Sequence, residues 1–438
     1  MLSLLIAFIV ALFLLIMLTV KYRWPPFFAL CIAAVVVAIG VKLPIDTFIA
    51  AMKSGLGNTM QSLGLLIVLG TTLGTLLEFT RSTTVMAQFI LKIVGEKNAA
   101  LAMSLTGFLI GLPIFCDSGY IVLSGLNNTL AKKTGIPIIV LAVCLSTGLF
   151  AVHALVPPHP GILAAAGMLQ VDIGKLLWMG IIVALPAMLT GYFWAIYAKK
   201  FFLVQPITPL DEEATETIQQ CPSVISAFLP VILPILLIAT KSVLDSKIPP
   251  THFLYSWLVL GDPVVALTIG VLLSLSSIHK FASNALQLEL QHAVEKAANI
   301  LMITSAGGAF GSVLAATNIG NYVSQLPLHQ LGLLFPFLVA AVLKTAQGST
   351  TVAVITTASI VFPFLPALGL AENSDPAFVV LAMGAGSMVV SHPNDSYFWV
   401  VAKFSSIDIK PMLRIYTQAT LWMGLVAMVI IYILHQLI

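Results

Sequence analysis

Runs of about 20 apolar residues, the length that crosses a hydrocarbon core as a helix, recur along almost the whole chain. They lie near 2–20, 26–43, 60–78, 136–156, 175–198, 223–242, 262–279, 298–316, 327–343, 377–391 and 411–434. Backbone N–H and C=O groups in a bilayer must be satisfied internally, so segments of this length are expected to be helical. The chain is 59% hydrophobic and only 8% charged, where soluble domains carry about 25% charged residues. The expected fold class is an all-α polytopic membrane protein with the lipid bilayer as its surroundings. The formal charge of +3 is small, which gives no reason to expect a nucleic-acid partner. The first run carries no basic n-region or small-residue cleavage site, so a retained span is expected there rather than a removed signal peptide. Cys31, Cys116, Cys144 and Cys221 have no metal-ligand spacing and read as packing residues.

Between the runs lie shorter mixed segments at 44–58, 82–97 and 283–297. Two further segments, 99–131 and 345–366, have polar or proline-containing centres and read as re-entrant hairpins. A polar stretch from Gln205 to Ser223 contains four acidic residues, Asp211, Glu212, Glu213 and Glu216, and reads as a solvated linker. It divides a first transmembrane repeat, 1–204, from a second, 224–438, with 205–223 as a cytoplasmic linker. Pro-Phe-Phe-Ala-Leu at 26–30 matches Pro-Val-Val-Ala-Leu at 263–267, and Gly74 matches Gly311; both offsets are 237 (263 − 26 and 311 − 74). About five spans plus one hairpin in each half would make the repeats inverted, with the hairpins entering from opposite faces. That arrangement also puts most of the 20 basic residues on the cytoplasmic side, as the positive-inside rule requires.

The polar interruptions are the candidate site. Residues 111–120 read Gly-Leu-Pro-Ile-Phe-Cys-Asp-Ser-Gly-Tyr, and 152–161 read Val-His-Ala-Leu-Val-Pro-Pro-His-Pro-Gly. Ionisable groups and helix breaks are expensive at membrane depth and are tolerated mainly along a solute path. Asp117, Asp395 and His153 are the candidates for proton coupling, since a carboxylate deep in a membrane is hard to keep charged and an imidazole can relay protons. Each aspartate could instead cap a helix, and a buried histidine could be a satisfied core residue. Ser118, His159, Gln347, Ser349, Thr350, Thr351, Asn394 and Ser396 are the candidates for substrate contact. The hydroxyls and amides among them suit a polyhydroxylated solute, and a helix starting near Ser349 would favour a carboxylate. Serines and threonines also mediate helix packing in lipid. Gly70-Thr-Thr-Leu-Gly74 and Gly307-Gly-Ala-Phe-Gly311 fit close helix packing, not phosphate loops. No hydrolase or metalloprotease motif is present, so an enzyme is not expected. A passive channel would more naturally show rings of like residues.

Phe-Cys-Asp-Ser-Gly-Tyr (115–120), His-Ala-Leu-Val-Pro-Pro-His-Pro-Gly (153–161), Ala-Gly-Gly-Ala-Phe-Gly (306–311), Gln-Gly-Ser-Thr-Thr-Val-Ala (347–353) and His-Pro-Asn-Asp-Ser-Tyr-Phe-Trp (392–399) resemble the motifs of the gluconate permease family. These are gluconate:proton symporters within the wider ion-transporter group. The resemblance runs over nearly the whole chain. It implies a multi-pass transporter of the bacterial inner membrane that imports gluconate or a related acid with protons, and a homodimer with scaffold and moving parts. Carriers for other sugar acids and for D-serine belong to the same family. Ile162, Cys116, Ser118, Pro393 and Tyr397 depart from the commonest residues at their positions, beside the expected site. The small organic anion is therefore expected to be gluconate or a related sugar acid, with glycerate or D-serine as alternatives. No cofactor is expected; the coupling ion is a proton, with Na⁺ the alternative. Hairpins 105–130 and 345–366 and the breaks at 153–161 and 391–396 are expected to enclose one midplane site.

Overall fold

The computed structural model describes residues 2–198, 200, 222–244, 253–278, 284–317, 331–370, 376–393 and 395–437. Asn394 and most of the linker 205–223 lie outside the described residues. Every regular element among them is helical, and six helices are long and apolar enough to cross a membrane.

The first half runs α1 (Leu2–Ile16), α2 (Pro26–Gly40), α3 (Ile45–Phe79), α4 (Ser82–Val94), α5 (Ala99–Gly111), α6 (Cys116–Thr134), α7 (Ile138–Leu155), α8 (Pro160–Met168) and α9 (Ile173–Ala198). The second runs α10 (Val224–Leu244), α11 (Pro263–Ser276), α12 (Asn284–Ala316), α13 (Leu334–Gln347), α14 (Thr350–Val361), α15 (Pro376–Met388), α16 (Ser396–Phe404) and α17 (Ile409–Leu437). Apart from α4, the order of long, paired and short helices in the first half recurs in the second.

Three expectations about segments need correction. Residues 44–58 are not a separate mixed segment but the first part of α3, a helix of 35 residues. Of the segment 283–297, the residues from Asn284 on likewise begin α12, which has 33 residues. Pro44 stands just before α3 and neither helix holds a proline inside it, so their polar residues ride on a continuous helix. The second polar break falls at Gly348, between α13 and α14, rather than in the centre of one segment 345–366. Gly348 sits at φ +80°, a left-handed conformation that only glycine adopts without strain.

Helices α1–α3 and α10–α12 pack with one another, and α5–α9 pack with α13–α17; α8 and α14 meet α3 and α12 along the boundary. Helices α3 and α12 cross antiparallel. Gly55 lies against Gly308 and Ala309, while Leu76 near the other end of α3 clusters with Leu286 near the start of α12. At the centre of the second group is α7, buried on nearly all sides. It can approach α5 closely because Gly107 faces Gly148, where an added Cβ on Gly107 would come within 3.2 Å of the Gly148 Cα. Small residues of this kind bring backbones into van der Waals contact where lipid offers no hydrophobic drive between helices.

Four interruptions punctuate the second group. Leu112 to Phe115 separate α5 from α6, with Pro113 unable to donate a backbone hydrogen bond. Val156 to His159 separate α7 from α8 around the cis Pro157–Pro158 bond. Gly348 and Ser349 separate α13 from α14, and Val389 to Asp395 separate α15 from α16.

Candidate solute-binding site

The four interruptions end in the starts of α6, α8, α14 and α16, and all four starts line one cavity of about 200 Å³. Its wall includes Cys116 and Asp117 of α6, Pro160 of α8, Ser349 to Val352 of α14 and Asp395 to Tyr397 of α16. Phe150 and His153 of α7 and Asn299, Ile300 and Ile303 of α12 complete it. The volume is below the roughly 300–1,000 Å³ of pockets for drug-sized ligands, so a small solute is the fit.

Each helix start presents N–H groups with no intrahelical partner and carries the equivalent of about half a positive charge. Ser349 accepts from Val352 N at 3.3 Å and Asp395 Oδ1 from Tyr397 N at 3.0 Å, capping α14 and α16. At the starts of α6 and α8 no side chain performs that service. Those donors are left for whatever enters the cavity, and the convergence of four positive helix ends favours an anion.

The two aspartates differ in kind. Lys344 Nζ donates to Asp395 Oδ2 at 2.6 Å and to the Gly348 carbonyl at 2.7 Å, and sits 5.5 Å from the centre of the Phe150 ring. Ser391 Oγ also bonds Asp395 Oδ2. Lys344 is 1% exposed and Asp395 3%, so this is a buried ion pair whose charges answer one another. Asp117 has no such partner: its Oδ1 is buried without a hydrogen bond among the described residues. A buried carboxylate oxygen left unpaired beside a cavity is an atom that a proton or a ligand donor must satisfy.

Of the residues singled out in the sequence, Asp117, His153, Ser349, Thr350, Thr351, Asp395 and Ser396 meet at the cavity wall. His153 Nδ1 is buried without a partner, and its ring centre is 4.7 Å from that of His159. His159 does not line this cavity; its Nε2 donates to the Gly111 carbonyl at 2.6 Å, tying the start of α8 to the end of α5. Ser118 turns toward Glu78 of α3. Gln347 ends α13 away from the cavity, with both amide atoms buried and unpartnered among the described residues. Phe150 and Asn299 were not anticipated as lining residues, nor was the pairing of Lys344. A lysine inside the apolar run 334–347 was the available signal, because a charge at that depth needs a counter-charge.

The GntP family permease model matches residues 3–438. A gluconate permease of Pseudomonas aeruginosa is 33% identical over 96% of this chain and 95% of its own. The D-serine transporter DsdX of Escherichia coli is 29% identical over 98% of each chain. Among solved structures, the YdaH transporter of Alcanivorax borkumensis shares the fold with a TM-score of 0.64, at 18% identity and 89% coverage of each chain. With a family match over nearly every residue, six membrane-length helices and an anion-suited cavity at the helix breaks, the chain belongs to the GntP family of permeases, multi-pass transporters of the bacterial inner membrane.

Proposed function

We propose that the protein is a secondary active transporter that imports gluconate or a related sugar acid together with protons, by alternating access between two inverted halves. The observation that carries this reading is the meeting of four helix starts and one unpaired carboxylate, Asp117, at a single small cavity. The solute carboxylate sits against the uncapped N–H groups of α6 and α8, where helix dipoles compensate its charge. Its hydroxyls meet Ser349, Thr350, Thr351 and Ser396. Asp117 takes the coupled proton, since a solute anion and an ionised Asp117 would repel within one cavity. The recurrence of helix order in the two halves supports the repeat, and the antiparallel crossing of α3 and α12 supports its inversion.

A relative that carries D-serine keeps an amino-acid substrate in view. Proteoliposomes under an imposed inside-alkaline pH gradient, offered radiolabelled gluconate, other sugar acids, glycerate and D-serine, decide the matter. Gluconate or another sugar acid is expected to accumulate above its outside concentration without sodium. Accumulation of D-serine alone, or a strict sodium requirement, would refute the reading.

A further inference from the structure

A second and larger cavity, about 570 Å³, lies between α3, α8, α12 and α14. Its side-chain wall is neutral and polar: Asn58, Thr59, Gln61 and Ser62 from α3, Gln170 just past α8, and Ser312 and Ser359. No charged residue is among its described lining. Asn58, Gln61, Ser62 and Gln170 are exposed, and amides at this place on a membrane helix require water or a polar solute opposite them.

Three helices connect the two cavities end to end. The first turns of α8 and α14 line the Asp117 cavity, through Pro160 and Ser349 to Val352, and their last turns line the second, through Gly167, Met168 and Ser359. Along α12, Asn299, Ile300 and Ile303 face the Asp117 cavity and Gly308, Gly311 and Ser312 face the other. Between them Gly307 abuts α14, where an added Cβ would stand 2.6 Å from Ile355 Cγ2 and 3.2 Å from Met168 Cε. At 1.5 Å per residue the seven-residue steps on α8 and α14 make this septum about 10 Å thick. The repeat fixes the relation of the cavities. Ser62 on α3 and Asn299 on α12 are equivalent by the offset of the halves (299 − 62 = 237), yet each opens on a different cavity, and α3 and α12 are antiparallel.

From this juxtaposition we infer that the α3/α8/α12/α14 cleft is a second solute station, on the opposite membrane face from the opening of the Asp117 cavity, that holds polyhydroxylated solutes by neutral hydrogen bonds regardless of their carboxylate. The helix ends give the reason for the difference. The Asp117 cavity receives N-termini, which favour an anion; the second cleft receives the C-termini of α8 and α14, whose negative dipole ends disfavour a carboxylate, while its neutral amides and hydroxyls serve a solute's hydroxyls. The solute therefore meets a station that reads its hydroxyls on one side of the septum and one that reads its charge on the other. This inference rests on the proposed sugar-acid transport.

Single-cysteine reporters test it. Ser62→Cys and Asn299→Cys are treated with a membrane-impermeant maleimide in spheroplasts and in inside-out vesicles, and the label is located by peptide mass spectrometry, so the native cysteines stay in place. Positive-inside placement puts Ser62 on the periplasmic face; label is expected at Ser62→Cys in spheroplasts and at Asn299→Cys in inside-out vesicles. Gluconate and the neutral polyol sorbitol, each at about three times its dissociation constant, should both slow modification of Ser62→Cys about fourfold. Only gluconate should slow Asn299→Cys. Labelling of both positions from one face, or gluconate protecting Ser62→Cys while sorbitol does not, or neither solute protecting it while gluconate still accumulates in proteoliposomes, overturns the inference. Absence of any sugar-acid accumulation overturns the proposed function instead. Gln170→Cys reports on the same cleft if Ser62→Cys does not reach the membrane.

Discussion

At the residue scale, the two carboxylates of the cavity are distinguished by what surrounds them. Asp395 caps α16 and is paired to Lys344, whereas Asp117 Oδ1 is buried with no hydrogen-bond partner among the described residues. Asp395 and His159 occupy corresponding places at the starts of α16 and α8 (395 − 159 = 236), and each ties its helix back to the end of the preceding hairpin arm, one by an ion pair and one by a hydrogen bond. Removing one partner of a buried pair strands the other charge, typically at a loss of about 3–5 kcal/mol, while removing both together is far milder. Lys344→Ala should therefore lower the melting temperature of the detergent-purified protein markedly. Adding Asp395→Asn should restore much of it, a rescue that thermal unfolding scans would register. A double variant no more stable than Lys344→Ala would show that the pair does not act as a unit. Asp117 and His153 could be picked out in the sequence as ionisable residues beside proline breaks. The Lys344–Asp395 pairing could not, because 51 residues separate the partners and only the fold brings them together.

At the scale of elements, the positions of the breaks were legible wherever proline or glycine interrupts an apolar run, as at Pro113 and at Pro157–Pro158. The continuity of α3 and α12 was not. Their first halves carry Lys53, Asn58, Gln61 and Glu289, His292, Glu295, Lys296, which hydropathy reads as loop although nothing in them stops a helix. On α3, Asn58 and Gln61 line a polar cleft, a tertiary fact that outweighs local composition. The close α5–α7 contact gives a prediction of its own. A Cβ on Gly148 would overlap the Ser104 carbonyl and stand 2.9 Å from Phe108 N. Gly148→Leu should thus destabilise by about 1–3 kcal/mol or more, the usual toll of overpacking. The check is the yield of folded, monodisperse protein after extraction: wild-type yield and melting temperature would contradict the packing described.

At the scale of the whole molecule, membrane residence and the recurrence of motifs at a 237-residue offset were visible in the sequence, since both are written in periodic composition. The meeting of four helix starts at one cavity was only partly visible. That the four breaks enclose one site could be anticipated, but which helix starts keep uncapped N–H groups there, those of α6 and α8, is set by the folded backbone. Two cavities on either side of a thin septum, at opposite ends of α8 and α14, suit the alternating access proposed above. In this account a proton on Asp117 permits the anion to enter. The most direct measurement compares wild type with Asp117→Asn in proteoliposomes, following radiolabelled gluconate both as uptake under a pH gradient and as exchange at equal pH. The account predicts that Asp117→Asn abolishes pH-driven accumulation while exchange between loaded and external solute persists. Undiminished pH-driven accumulation by Asp117→Asn would contradict it.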